Sequence, residues 1–214
     1  MKVSKKVAGV EYAIRDIVSA AREIEQQGKS VDYLNIGDPV QFGFQPPENV
    51  KQALIDAVNK GNNFYTQSEG LPELLDAIAK KENSKGLSIG SENVVITNGV
   101  SEGLDMVISS IVEEGDEVLL PGPYYPPYAS YVRLHGGKPI EFAVDFKNSR
   151  PDIDDIKEKI SSKTVAICLI SPNNPTGLVF DENSLKQIID IANEHSLYLI
   201  CDEIYDKIVF DQEF

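Results

Sequence analysis

Asp202 and Tyr205 stand three apart in Asp202-Glu203-Ile204-Tyr205, and an amide pair, Asn173 and Asn174, lies upstream in Ser171-Pro172-Asn173-Asn174-Pro175-Thr176-Gly177. A carboxylate pairs with a basic nitrogen, while a phenol and an amide donate to an oxygen. If one turn separates Asp202 from Tyr205, both face the same side. Two further stretches carry chemistry. In Asn98-Gly99-Val100-Ser101-Glu102-Gly103 a glycine turn opens what reads as a helix, with a serine at or near its N-cap. Backbone N–H groups and the helix dipole there favour a phosphate, although a serine cap without any ligand is the commoner case. In Pro121-Gly122-Pro123-Tyr124-Tyr125-Pro126-Pro127-Tyr128, either Tyr124 or Tyr125 offers a flat face to an aromatic ligand, or simply packs.

These groups need a scaffold that brings them to one edge. Thr164 to Ile170 is a short apolar run ended by turn residues, which reads as a buried parallel strand delivering Asn173 and Asn174. Asp181 then caps a helix whose apolar face is Leu185, Ile188, Ile189 and Ala192. A second strand, Leu197 to Cys201, ends on Asp202. The βαβ crossover rule puts the amide pair and Asp202 on the same edge of one sheet, where open α/β sheets bind ligands. Asn93 to Thr97 reads as another buried strand, running into the Gly99 turn and a helix from Leu104 to Val112. Glu117 to Leu120 is a strand that delivers the tyrosines, followed by a helix to about His135. A ligand matching a phosphate cradle, an aromatic platform, an amide, a carboxylate and a phenol needs a phosphate, a ring, a phenolic oxygen and a basic ring nitrogen. Pyridoxal 5'-phosphate has all four.

The remaining chain supplies helices and turns. Residues 1 to 10 read as a basic arm, and Ile14, Ile17, Val18, Ala21 and Ile24 form the stripe of a helix from Glu11 to Gln27 that Gly28 ends. A short strand, Tyr33 to Ile36, breaks at Gly37-Asp38-Pro39 and gives way to a loop rich in Pro, Gly and Phe. Pro47 opens a helix carrying Val50, Ala53, Leu54, Ala57 and Val58. Pro72 opens another, with Leu74, Leu75 and Ile78 facing inward. Pro139 to Val144 reads as a strand and Asp152 to Ile160 as a small helix.

Length and composition narrow the class. The 214 residues allow a substantial core, and a net charge of -14 argues against nucleic acid or an anionic membrane as partner. Cys168 and Cys201 fall in strands expected to be buried, so both read as core residues with no metal or disulfide role. His135 and His195 fall at helix ends, where a surface or dipole role is expected. No apolar leader follows the N-terminus and no run reaches membrane-spanning length, so a cytoplasmic protein is the expectation.

The motifs together resemble the N-terminal part of a class I/II aminotransferase of the fold type I pyridoxal-phosphate family, on its alanine/aspartate aminotransferase branch. The matching segments are Asn35 to Pro39, Tyr65 with Glu69 to Leu74, Thr97 to Glu102, Pro121 to Tyr128, Ser171 to Gly177 and Asp202 to Tyr205, in the family's order. The resemblance implies an α/β fold, a three-layer α/β/α large domain with a mostly parallel sheet. Residues 1–45 would be an N-terminal arm and helix contributing to a small domain, and 46–214 the first part of the large one. It implies that Asp202 pairs with the pyridinium nitrogen, that Tyr205 and Asn174 hydrogen-bond the ring oxygen, and that Tyr125 stacks on the ring. Gly99, Val100 and Ser101 would hold the phosphate. Tyr65 would reach the phosphate of the neighbouring subunit in a homodimer with shared sites, and Gly37 would lie near the substrate carboxylate.

The resemblance also implies what these residues lack. The Schiff-base lysine and the arginines for phosphate and substrate carboxylate would lie beyond Phe214, as would the last two strands of the sheet, so no catalytic residue is assigned here. These residues are therefore expected to be a part of a longer or nicked enzyme. The implied activity is transfer of an amino group between an amino acid, alanine or aspartate, and a 2-oxo acid. A β-lyase or synthase of the same fold, or a non-catalytic or regulatory module, is the alternative. No Gly-x-Gly-x-x-Gly follows any strand, which disfavours a dinucleotide-binding domain.

Overall fold

The computed structural model describes Ser4, Lys6, Val7 and residues 13–34 and 37–210, with the side chains of 13–16 excepted. The expected N-terminal arm lies largely outside these residues, as do the start of the first helix and half of the Tyr33 to Ile36 strand. The chain divides into two compact units, residues 17–97 and residues 98–214 together with 1–16.

The larger unit is built on a parallel sheet. Strand β1 (Glu117–Pro121) pairs with β2 (Lys138–Phe142) and β5 (Thr164–Ile170), and β5 pairs with β6 (Tyr198–Asp202), in the order β2-β1-β5-β6. Side chains alternate across the sheet, as the pleat requires. Val118, Leu120, Ala166, Cys168 and Ile170 pack on one face with helices α4 (Val100–Ile111) and α5 (Pro127–Leu134). Leu119, Ile167 and Leu169 pack on the other with α6 (Ile153–Lys159) and α7 (Glu182–Glu194). Both faces of β1 and β5 are covered, so their sequences are continuously apolar rather than alternating. A small antiparallel pair, β3 (Val144–Asp145) with β4 (Arg150–Pro151), lies outside the main sheet.

Helix α7 begins where its sequence says it should. The Asp181 carboxylate accepts from the Ser184 amide at 3.1 Å and the Ser184 hydroxyl at 2.7 Å, satisfying a donor the helix leaves unpaired. Ile188, Ile191 and Ala192 are buried and Leu185 half-buried, whereas Ile189 is exposed. The buried stripe is therefore rotated by part of a turn from the expected one. The Ser184 hydroxyl, then its amide, then Arg150 hold the Asp181 carboxyl below the usual carboxylate range. Its cap is complete above the unfolded value of about 4 and is lost as pH falls through the lower folded value. Asp181→Ala is expected to cost about 1 kcal/mol near neutral pH. Denaturant midpoints measured at neutral and at strongly acidic pH check this, because the two proteins converge in acid.

The smaller unit contains most of α1 (Ala13–Gln26), a 3₁₀ turn at Pro39–Phe42, α2 (Glu48–Asn59), α3 (Pro72–Asn83) and a second 3₁₀ turn at Ser91–Asn93. Its core is Leu75, Ala79 and Val94, with Ile78, Ile89 and Ile96 against it. Leu74, expected inside, is exposed; Ala79 takes its place because it continues the i, i+4 line from Leu75. Helix α2 forms, but none of its residues is buried. Spacing fixes which face of a helix can be covered, and the cover must come from elsewhere. The expected strand from Asn93 to Thr97 is not one: Val94–Thr97 is irregular and Val95 is 52% exposed. Among the described residues no strand runs beside it; the Val94 amide turns back to the Ser91 carbonyl at 3.1 Å, and the Ile96 amide donates to the Glu69 carbonyl at 2.8 Å. The Ile96 contact explains Gly70, whose φ is +130° and where a Cβ would lie 2.5 Å from Ile96 Cγ1.

Candidate functional site

Three loops at the C-terminal ends of β1, β5 and β6 are tied to one another. The Ser171 amide donates to the Asp202 carbonyl at 3.1 Å, and the Asn173 side-chain amide reaches the Pro123 carbonyl at 3.4 Å. Asp202 itself is half-buried at the end of β6. Its Oδ1 accepts from the Ile204 amide at 2.9 Å, and its Oδ2 accepts from the Tyr128 hydroxyl. Burial, first, and the bond to Asp202, second, push the Tyr128 phenol far above its usual value. It therefore stays protonated and acts as a donor.

Within the asparagine loop the two amides have different jobs. Asn173 is buried, and its side-chain oxygen accepts from the Thr176 hydroxyl at 2.8 Å and the Thr176 amide at 3.2 Å. Its backbone closes the loop through Asn173 N–H to the Leu178 carbonyl at 2.9 Å and Gly177 N–H to the Asn173 carbonyl at 2.7 Å. Asn173 thus builds the loop, which leaves Asn174 as the amide free to face a ligand. Peptides Ser171–Pro172 and Asn174–Pro175 are cis, as is Gly122–Pro123 in the tyrosine loop. A cleft of about 720 Å³ opens beside the loop, lined by Asn148, Ser149, Asn174, Tyr205 and Phe210 among others. Asp202, Tyr125 and Ser101 are not part of its wall.

Tyr124 and Tyr125 are half-buried and pack against the α4–α5 core, and the Tyr125 carbonyl accepts the Tyr128 amide at 3.1 Å. Burial, then the nearby Glu141, raises the Tyr124 phenol. Helix α4 starts earlier than the sequence suggests: Gly99 is its N-cap, with φ +76° and ψ 170°, and Ser101 sits in the first turn. Nothing lies within 4 Å of where a Gly99 Cβ would stand, so the glycine answers to backbone conformation alone. Glu102, also in that turn, accepts the Asn98 amide. Leu104 and Ile108 bury α4 in the same core as Tyr128. Gly37 and Tyr65 belong to the smaller unit, where both are exposed; Gly37 precedes Asp38, which caps the Pro39–Phe42 turn through the Val40 amide at 3.2 Å.

Sequence reasoning named Tyr128 only as part of a motif and missed its bond to Asp202, 74 residues away. The available signal was its position in the first turn of α5, directly after the strand that delivers the other tyrosines. Cys201 was expected inside with Cys168. Cys168 is fully buried, whereas Cys201 is exposed, because β6 has a neighbour on one side only among the described residues.

The sequence model of the family described as aminotransferase class I and II matches residues 31–214. The chain belongs to that family. The glutamate-pyruvate aminotransferase AlaA of Haemophilus influenzae is 41% identical over 213 residues, which is 97% of this chain and 52% of that protein. A solved alanine aminotransferase from Pyrococcus furiosus superposes with a TM-score of 0.96 at 47% identity, covering 99% of this chain and 55% of that one. An aspartate aminotransferase from Thermus thermophilus, solved with maleate, superposes at 0.91 with 32% identity over 100% of this chain and 56% of that one. The parallel α/β/α unit is that of the aminotransferases, and the chain spans about half the length of the relatives it matches. Among the described residues no helix is long and apolar enough to cross a membrane.

Proposed function

We propose that this chain is part of a cytoplasmic, pyridoxal-phosphate-dependent aminotransferase that moves an amino group between alanine, or aspartate, and a 2-oxo acid. The observation that carries the reading is the Asp202 carboxylate, held at the C-terminal end of β6 by the Tyr128 hydroxyl and the Ile204 amide. Two donors fix its orientation, and a carboxylate has further lone pairs to offer a ring nitrogen. The chemistry of the residues assigned with it fits the cofactor: an amide and a phenol at Asn174 and Tyr205, which share one cleft, an aromatic face at Tyr125, and a helix N-terminus at Gly99, Val100 and Ser101.

When bound, the cofactor supplies an electron-accepting ring that lets the amino acid lose its Cα proton. Asp202 keeps the ring nitrogen protonated. Asn174 and Tyr205 hydrogen-bond the ring oxygen, Tyr125 covers a ring face, and the first turn of α4 with the Ser101 hydroxyl orients the phosphate. Gly37 borders the substrate carboxylate. The exposed Tyr65 reaches the phosphate of a second copy, making the enzyme a homodimer with shared sites. Residues 1–45 contribute to a small domain and 46–214 form the first part of the large one, the remainder of the polypeptide supplying the lysine.

The relatives named above are aminotransferases, which supports transfer over β-lyase or synthase chemistry and over a non-catalytic module. The test is pyruvate formation from alanine by the complete enzyme with and without 2-oxoglutarate. Transfer requires the 2-oxo acid; pyruvate formed equally well without it would remove the transaminase reading.

A further inference from the structure

We propose that Tyr128 is the positioning residue for Asp202: its hydroxyl, donated to Oδ2, fixes the rotation of the carboxylate so that the remaining lone pairs meet the cofactor's ring nitrogen. This rests on the reading of Asp202 given above. The geometry is that of a built support. Tyr128 is 0% exposed, enclosed in the core that contains Leu104, Ile108 and Val118, so the phenol has no freedom to swing. Its hydroxyl donates to one carboxylate oxygen while the Ile204 amide donates to the other at 2.9 Å, so turning the carboxylate breaks both bonds.

The same residue ties two parts of the site together. Tyr128 lies in the first turn of α5, and its backbone amide donates to the Tyr125 carbonyl at 3.1 Å. The residue that would stack on the ring and the residue that would pair with its nitrogen are thus held by one tyrosine, one through its backbone and the other through its hydroxyl. Burial keeps the phenol protonated, so the support does not titrate away in the working pH range of an enzyme.

The experiment compares two ligands in the complete enzyme: pyridoxal phosphate and its 1-deaza analogue, which carries carbon in place of the ring nitrogen. Wild type is expected to bind the natural cofactor more tightly. In Tyr128→Phe, which removes a single oxygen, affinity for pyridoxal phosphate is expected to fall on the order of 10-fold, while affinity for the analogue changes by less than about 3-fold. Equal weakening of both ligands would make Tyr128 an ordinary wall of the pocket and overturn the proposal. A wild type that does not distinguish the two ligands would instead overturn the assignment of Asp202 itself. Should the phenylalanine variant fail to fold, 3-fluorotyrosine at position 128 keeps the shape and strengthens the donor. The ¹⁵N resonance of the bound ring then moves if Tyr128 acts through Asp202, and an unchanged resonance overturns the proposal.

Discussion

Replacing Asp202 by alanine is expected to lower turnover of the complete enzyme by about 10³-fold or more, with the fold retained. Two donors, the Tyr128 hydroxyl and the Ile204 amide, hold the carboxylate in a set orientation at the end of β6. Removing it also leaves the Tyr128 hydroxyl buried without its acceptor, which costs about 1–3 kcal/mol. Asp202→Asn separates the two effects. Its side-chain oxygen can still accept from a donor, but the charge that would hold a proton on a ring nitrogen is gone. Its activity is expected to fall nearly as far as that of the alanine variant, with a stability closer to wild type. Steady-state kinetics and denaturant midpoints on both variants check this, and near-normal turnover in either would sink the cofactor role of Asp202.

Phe142→Ala is expected to destabilise the protein by about 3–5 kcal/mol. Phe142 is fully buried at the end of β2, packed with Leu119, Ile156 and Ile167 on the face that α6 and α7 cover. Truncation to alanine removes the phenyl ring from a fully buried cluster, so the transfer and cavity costs add. Its carbonyl also accepts the Gly122 amide at 2.9 Å, and so anchors the loop that leads to Tyr124 and Tyr125. Phe142→Leu keeps most of the volume and is expected to cost less than about 1.5 kcal/mol. Denaturant midpoints give both values, and an alanine variant within about 1 kcal/mol of wild type would mean that this side chain is not packed as described.

What could be read from the sequence was whatever local chemistry decides. The strand from Thr164 to Ile170, the Asp181 cap and the Pro72 helix start depend on neighbours in the chain, and the structure has them where the pattern put them. Readings that depended on distant partners fared differently. Val94 to Thr97 has a strand's composition, yet a strand exists only when another runs beside it. Leu74 and Ile189 sit at the margins of their helices' apolar stripes, where the choice between inside and outside falls to the packed neighbour. The division of labour between Asn173 and Asn174 was open because adjacent asparagines look alike until the loop's own hydrogen bonds claim one of them. Tyr128 was hidden for the opposite reason: its partner lies 74 residues away, and no pattern of spacing encodes that distance.

The burial of Asn173 has a consequence for when order is acquired. Its side chain and backbone close the Ser171 to Gly177 loop with bonds internal to the protein, and the Ser171 hydroxyl accepts the Phe180 amide at 3.2 Å where the chain leaves it. The conformational entropy of the loop is therefore lost during folding, before any ligand arrives. A ligand meeting Asn174 needs to order one side chain rather than a whole segment, so more of its contact energy remains as affinity. On-rates at this edge should accordingly follow diffusion and charge rather than the slow closing of a loop.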